Sequence, residues 1–194
     1  MKNVLFVDCC IRRDESRTRR LAEAFLAALP ESCCVTRLEL MEQALPYFSD
    51  SYFQQRQSLL AAGERDHPRF RYAHEFAAAD CIVIAAPFWD LSFPALLKVY
   101  IEQVSVDGIT FGSTETGLAG LCRASHLIFL TTRGGFYTDS EQEMGSRYLD
   151  ALHTFFGIGS YRCIAADGMD VAGYDAEGSL RRAMHEAAEL AATL

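Results

Sequence analysis

Two continuous apolar runs, DCIVIAAP at 80–87 and SHLIFLTT at 125–132, constrain this chain more than any other feature. Neither alternates apolar with polar residues, so each reads as a strand buried on both faces, the habit of parallel sheets covered by helices on two sides. Val4, Leu5, Phe6 and Val7 open the chain with a third strand, and CCVTRLEL at 33–40 and GSYRCIAADGM at 159–169 supply two more. Helical periodicity falls between them, at 17–29, about 52–62, 68–79, 93–104, 139–156 and 175–193. A helix between two strands makes them parallel neighbours, so the first and second strands should lie side by side. The whole predicts an α/β fold: a doubly wound, five-stranded parallel sheet with helices on both faces. GITFGSTETGLAG at 108–120 reads as a hairpin excursion. Residues 41–67, between the second and third strands, either line a pocket or serve as plain covering helix.

At 194 residues, half of them hydrophobic, the length fits one domain over 1–194 with a substantial core. A net charge of −8 counts against nucleic-acid partners and anionic membrane surfaces, whose binding runs on Lys and Arg. No apolar run approaches the ~18 residues of a membrane span, and the start of the chain lacks a leader pattern. The seven cysteines are odd in number, with no C-x-x-C and no metal-like pairing with His, so a reducing, cytoplasmic compartment and no metal are expected.

Ligands of doubly wound sheets bind outside the carboxyl ends of the strands, and three such loops carry unusual residues. After the first strand comes DCCIRRDESRTRRL at 8–21, where a helix opens at Ser16, Arg17 and Thr18. Its first backbone N–H groups and positive dipole end suit a phosphate, with Arg12, Arg13, Arg17 and Arg19 nearby. Ser16 as an ordinary N-cap and solvated arginines explain the same residues without a ligand. The spacing holds neither G-x-x-x-x-G-K-[ST] nor G-x-G-x-x-G, which excludes a triphosphate P-loop and the ordinary dinucleotide fingerprint. After the third strand come Pro87, Phe88, Trp89 and Asp90, with the only tryptophan; after the fourth come Arg133, Gly134, Gly135, Phe136 and Tyr137. The paired glycines permit close backbone approach. Tyr137 is a candidate proton donor or substrate contact.

Taken together these pieces resemble the flavodoxin-like, FMN-dependent NAD(P)H oxidoreductases of the azoreductase and quinone reductase type, over nearly the whole chain. An S-x-S/T triplet stands at Ser16, Arg17 and Thr18. PFWDLSFPALLKVY at 87–100 matches P-x-(aromatic)-N-F-x-x-P-x-x-L-K-x-(aromatic), GITF stands at 108–111, and Thr132, Arg133, Gly134 and Gly135 match (S/T)-R-G-G. The resemblance implies a flavodoxin-like fold, FMN as cofactor and ping-pong hydride transfer from NADH or NADPH to a quinone, azo or related small acceptor. By the same resemblance Ser16, Arg17 and Thr18 hold the FMN phosphate. Pro87, Phe88, Trp89, Asp90 and Leu91 run along the flavin ring, and Thr132 to Gly135 meet its pyrimidine edge. A homodimer with Phe155 reaching the partner's site is also implied.

Two departures stand out. The family's serine pair after the first strand is here Cys9 and Cys10; Cys10 takes a phosphate-binding position, and a thiol is a poor donor whose loss costs about 1 kcal/mol. Asp90 replaces an asparagine; a carboxylate about 5 Å from a reduced flavin would disfavour it by roughly 3 kcal/mol. A flavin-binding electron carrier, or a regulatory or binding module of the same fold without FMN, are the alternatives.

Overall fold

The computed structural model describes residues 1–115 and 117–194. Five strands form one parallel sheet: β1 (Lys2–Asp8), β2 (Cys33–Glu39), β3 (Cys81–Ala85), β6 (His126–Thr132) and β7 (Tyr161–Ala166). They run in the order β2-β1-β3-β6-β7, every pairing parallel. The order reverses between β1 and β3, because the chain leaves β1 toward β2 and later returns to β1's other side. A crevice therefore opens there between the outgoing loops.

All five residues of β3 are buried, whereas edge strand β2 mostly alternates half-buried and exposed positions and fully buries Leu38 alone, in keeping with its sequence pattern. Helices α1 (Arg17–Ala27) and α6 (Ala176–Ala192) cover one face, packing Leu21, Phe25, Leu180 and Ala187 against Val4, Phe6 and Leu130. The other face is covered by α3 (Arg71–Ala78), α4 (Ala95–Val104) and α5 (Gly145–Phe155), which bring Phe76, Leu97, Tyr100 and Leu149 onto Leu5, Val7, Ile82 and Phe129.

Helix α2 (Asp50–Ala61) buries no residue of its own. It is fastened instead by Tyr52, whose hydroxyl donates to Gln103 Oε1 (2.6 Å), and by Arg56, which donates to the Ser105 carbonyl (2.6 Å). None of the residues at 41–67 lines the cavity described below. The predicted hairpin is present as the antiparallel pair β4 (Phe111–Thr114) and β5 (Gly117–Gly120).

One helix starts later than its periodicity predicts, at Gly145 rather than 139. Asp139 has a φ of +62°, which a right-handed helix cannot contain. The Glu143 carboxylate then accepts the Ser146 N–H (2.9 Å), satisfying a first-turn donor from outside the helix. None of the helices among the described residues is long and apolar enough to cross a membrane.

Gly120 packs the hairpin against the end of α5 so closely that a Cβ there would lie 1.9 Å from the Gly157 nitrogen. Backbone cannot yield as a side chain does. Gly120→Ala is expected to destabilise the protein by about 3 kcal/mol, read as a lower urea midpoint with an unchanged slope.

Candidate functional site

The first wall of the site is set by Asp8 at the end of β1, 3% exposed. One carboxylate oxygen accepts the Cys10 N–H (2.8 Å) and the other pairs with Arg19 (2.7 Å), so the loop folds back and α1 begins beside the strand end. Ser16 is the N-cap: its backbone is extended, and its hydroxyl accepts the Arg19 N–H (3.2 Å). The N–H groups of Arg17 and Thr18 meet no protein acceptor among the described residues, as expected of the first donors of a helix.

The arginines sort into two groups. Arg13 pairs with Glu42 (2.6 Å), Arg19 with Asp8, Glu39 and Asp14, and Arg20 with Glu177 (2.8 Å). These charges are spent on the scaffold. Arg12 and Arg17 line the cavity described below, Arg17 paired there with Asp170 (2.9 Å).

The second wall follows β3. The Phe88 N–H donates to the Thr132 carbonyl (3.1 Å), joining this loop to the end of β6. Trp89 and Ser92 then exchange backbone bonds of 3.1 and 2.8 Å around Asp90 (φ +49°) and Leu91 (φ +65°). Two successive left-handed residues between a mutually bonded pair make a type I′ turn, normally the place of Asn-Gly. Asp tolerates that conformation; Leu holds it at a cost of roughly 1–2 kcal/mol. The turn is braced from outside by the Met144 N–H, which donates to the Leu91 carbonyl (3.0 Å). It carries Trp89 with 41% of its surface exposed.

The third wall follows β6, and its backbone is zipped to the segment after β7. Arg133 N–H donates to Ala166, Met169 N–H to Arg133, Asp170 N–H to Gly134 and Gly168 N–H to Gly135, all at 2.9–3.0 Å. These bonds take the carbonyls of Arg133, Gly134 and Gly135. The amides of Gly134 and Gly135 stay without a protein acceptor among the described residues. Tyr137 packs against Phe88 with centroids 4.5 Å apart and the ring planes tilted by 46°, and Asp167 accepts its N–H (2.8 Å). The buried Thr18 and Thr132 hydroxyls bond each other (2.7 Å), closing the ring of loops.

The three walls enclose a cavity of about 450 Å³. Of the residues that the sequence singles out, Ser16, Arg17, Thr18, Pro87, Phe88, Trp89, Asp90, Leu91, Thr132, Gly134, Gly135 and Tyr137 all line it. Cys10 and Arg133 do not. The Cys10 thiol, 1% exposed, turns inward to the Ala85 carbonyl (3.8 Å), and burial, followed by the charge of Asp8, pushes its pKa up. Arg133, 4% exposed, reaches back to Asp167 (3.4 Å) and Glu143 (3.5 Å) and lies over the Phe88 ring (5.7 Å).

Glu15, Met169 and Asp170 line the cavity without having been singled out. The last two sit in a fourth strand-end loop, after β7, which the rule that marked the other three would have marked as well. Among the described residues no group of three or more His, Cys, Asp and Glu is arranged to hold a metal. Chemically, the cavity offers unspent amides and two guanidinium groups at one end, and aromatic faces with two further amides at the other. That suits a flat, polar-edged molecule with an anionic tail.

A family model described as flavodoxin-like fold matches residues 2–191. The chain is 37% identical to FMN-dependent NADH:quinone oxidoreductase 2 of Clostridium acetobutylicum, with 98% of each chain covered. It is 36% identical to FMN-dependent NADH:quinone oxidoreductase of Clostridium perfringens, again over 98% of both. Among solved structures, azoreductase from Bacillus anthracis strain Sterne superposes with a TM-score of 0.89 at 28% identity, covering 100% of both chains.

The strain at Leu91 is open to measurement. Because Asn accepts the left-handed region more readily and Leu91 is 41% exposed, Leu91→Asn is expected to stabilise the protein by about 0.5–1 kcal/mol, a Tm rise of roughly 2–3 °C by calorimetry.

Proposed function

The chain belongs to the family of flavodoxin-like fold, and from that premise we propose that it is an FMN-dependent NADH oxidoreductase that reduces quinones, with azo compounds as further acceptors. Relatives at 36–37% identity over nearly their whole length bear the NADH:quinone name, and the azoreductase likeness supports the wider acceptor range. The observation that carries the reading is the cavity itself, about 450 Å³, lined at once by helix-start residues and by paired glycines whose amides have no protein acceptor among the described residues.

The donor set fits FMN. The amides of Arg17 and Thr18, with the guanidinium groups of Arg12 and Arg17, would hold the phosphate at the helix start, where dipole and charge agree. Ser16 serves there as the cap that sets the direction of these amides. Phe88, Trp89 and the turn at Asp90 and Leu91 form the wall along the ring, and Pro87 fixes where that wall leaves β3. Gly134 and Gly135 would give their amides to the carbonyl oxygens of the pyrimidine edge. At Gly135 a Cβ would lie 3.1 Å from the Tyr137 ring, so glycine is what lets that ring approach the backbone. Thr132 acts through its bond to Thr18, and Cys10 and Arg133 act by holding their loops rather than by touching the cofactor.

When bound, FMN supplies the two-electron chemistry that ordinary side chains lack. The chain's own residues orient the partners, screen one side from water with Trp89 and Leu91, and offer a phenolic hydroxyl, that of Tyr137. A homodimer and a cytoplasmic location complete the proposal. Trp89, Leu91 and Met144 are exposed apolar side chains at the β3 turn, a surface suited to a second copy, and all seven cysteines are free thiols. Phe155, half-buried, packs within its own chain on Phe111 (4.8 Å) and Phe156 (5.1 Å).

Purified protein is expected to quench the fluorescence of added FMN, and NADH is expected to bleach the bound flavin within seconds under anaerobic conditions. Flavin that binds but is not bleached would mean an electron carrier, and no binding at all a module without the cofactor. Tyr137→Phe is expected to lower quinone turnover by on the order of 10²-fold, while leaving FMN affinity unchanged. An unaltered kcat removes the proton-donor role.

A further inference from the structure

Arg17 is one of two arginines on the cavity, yet its guanidinium is already engaged. It donates to the Asp170 carboxylate and to the Met169 carbonyl, each at 2.9 Å. Both partners lie in the segment after β7. The main chain of that segment is fixed by the bonds from Gly168, Met169 and Asp170 to Gly135, Arg133 and Gly134. The Asp170 side chain, by contrast, is 74% exposed and bonded to Arg17 alone among the described residues, so it can swing without unzipping the loop. Its second carboxylate oxygen stands 2.8 Å from the place of a Cβ on Gly134. The carboxylate therefore lies between Arg17 and Gly134 on the wall of the cavity.

A guanidinium recognises carboxylate and phosphate oxygens by the same forked donation, so the two anions are rivals for one site. We propose that Asp170 is a built-in competitor of the cofactor's phosphate: it occupies Arg17 until a phosphate displaces it, and thereby sets how strongly the protein prefers a phosphorylated flavin to an unphosphorylated one. This rests on the FMN reading above. Loading then requires one exchange of partners at Arg17, with the carboxylate turning to solvent and the backbone staying in place. The competition weakens the phosphate's hold without touching the recognition of the ring.

The test is a set of dissociation constants for FMN and riboflavin, from flavin fluorescence quenching at low ionic strength. The proteins are the natural chain, Asp170→Asn, Arg17→Ala and the double variant. Asp170→Asn is expected to tighten FMN about fivefold, the scale of an exposed ion pair, and to leave riboflavin within about twofold. In the Arg17→Ala background the gain should vanish, because nothing is left to compete for. FMN binding that is unchanged or weaker in Asp170→Asn, equal tightening of riboflavin, or a gain that persists without Arg17 would each overturn the competitor role while leaving FMN as the cofactor. Failure of all four proteins to bind either flavin would bring down the FMN reading and this inference together.

Discussion

The site hangs on a buried charge pair. Asp8 ends β1 almost wholly out of water, and Arg19, one turn into α1, meets it at 2.7 Å while also reaching Glu39 at the end of β2 (3.1 Å). A carboxylate left alone there would carry a desolvation cost of several kcal/mol, so the cation is held to one place, and with it the start of the helix. Everything at the cationic end follows from that placement. Ser16 caps, two amides remain unspent, and Arg17 faces the cavity rather than the sheet.

The other walls are built by a different economy, in which backbone bonds do most of the positioning. The β3 loop is tied to β6 through Phe88, and the β6 loop to the β7 loop through four amides. Side chains such as Trp89, Tyr137 and Asp170 then project from main chain that is already fixed. Arg133 and Asp167 lie behind this surface and join the loops without entering the cavity.

Much of this was legible in the chain, because burial on two faces writes itself as uninterrupted apolar runs and helix faces repeat with a period near 3.6. The sequence placed the first and second strands side by side, and the structure adds that β1 is interior, flanked by β2 and β3. What sequence could not supply was pairing. Five arginines at 12–20 read as one cationic patch, whereas Glu42, Glu39 and Glu177, distant along the chain, neutralise three of them. Cys10 sits where a phosphate ligand belongs by register, but which way its thiol turns depends on Ala85. Asp170 carries no motif, and its place beside Gly134 arises only from the pairing of β6 with β7. The late start of α5 has a similar origin, because a left-handed Asp139 leaves the apolar spacing of its segment intact.

The turn from Trp89 to Ser92 has a consequence for how such a protein changes over generations. Its shape is held by two reciprocal main-chain bonds and a brace from Met144, none of which uses the side chains at 90 and 91. Those two positions can therefore be exchanged among residues that tolerate a left-handed backbone, altering the contour and charge of the turn while its main-chain bonds stay in place. Change at this spot is bounded by the left-handed backbone alone, which admits Gly, Asn and Asp readily and charges any bulkier residue for its place.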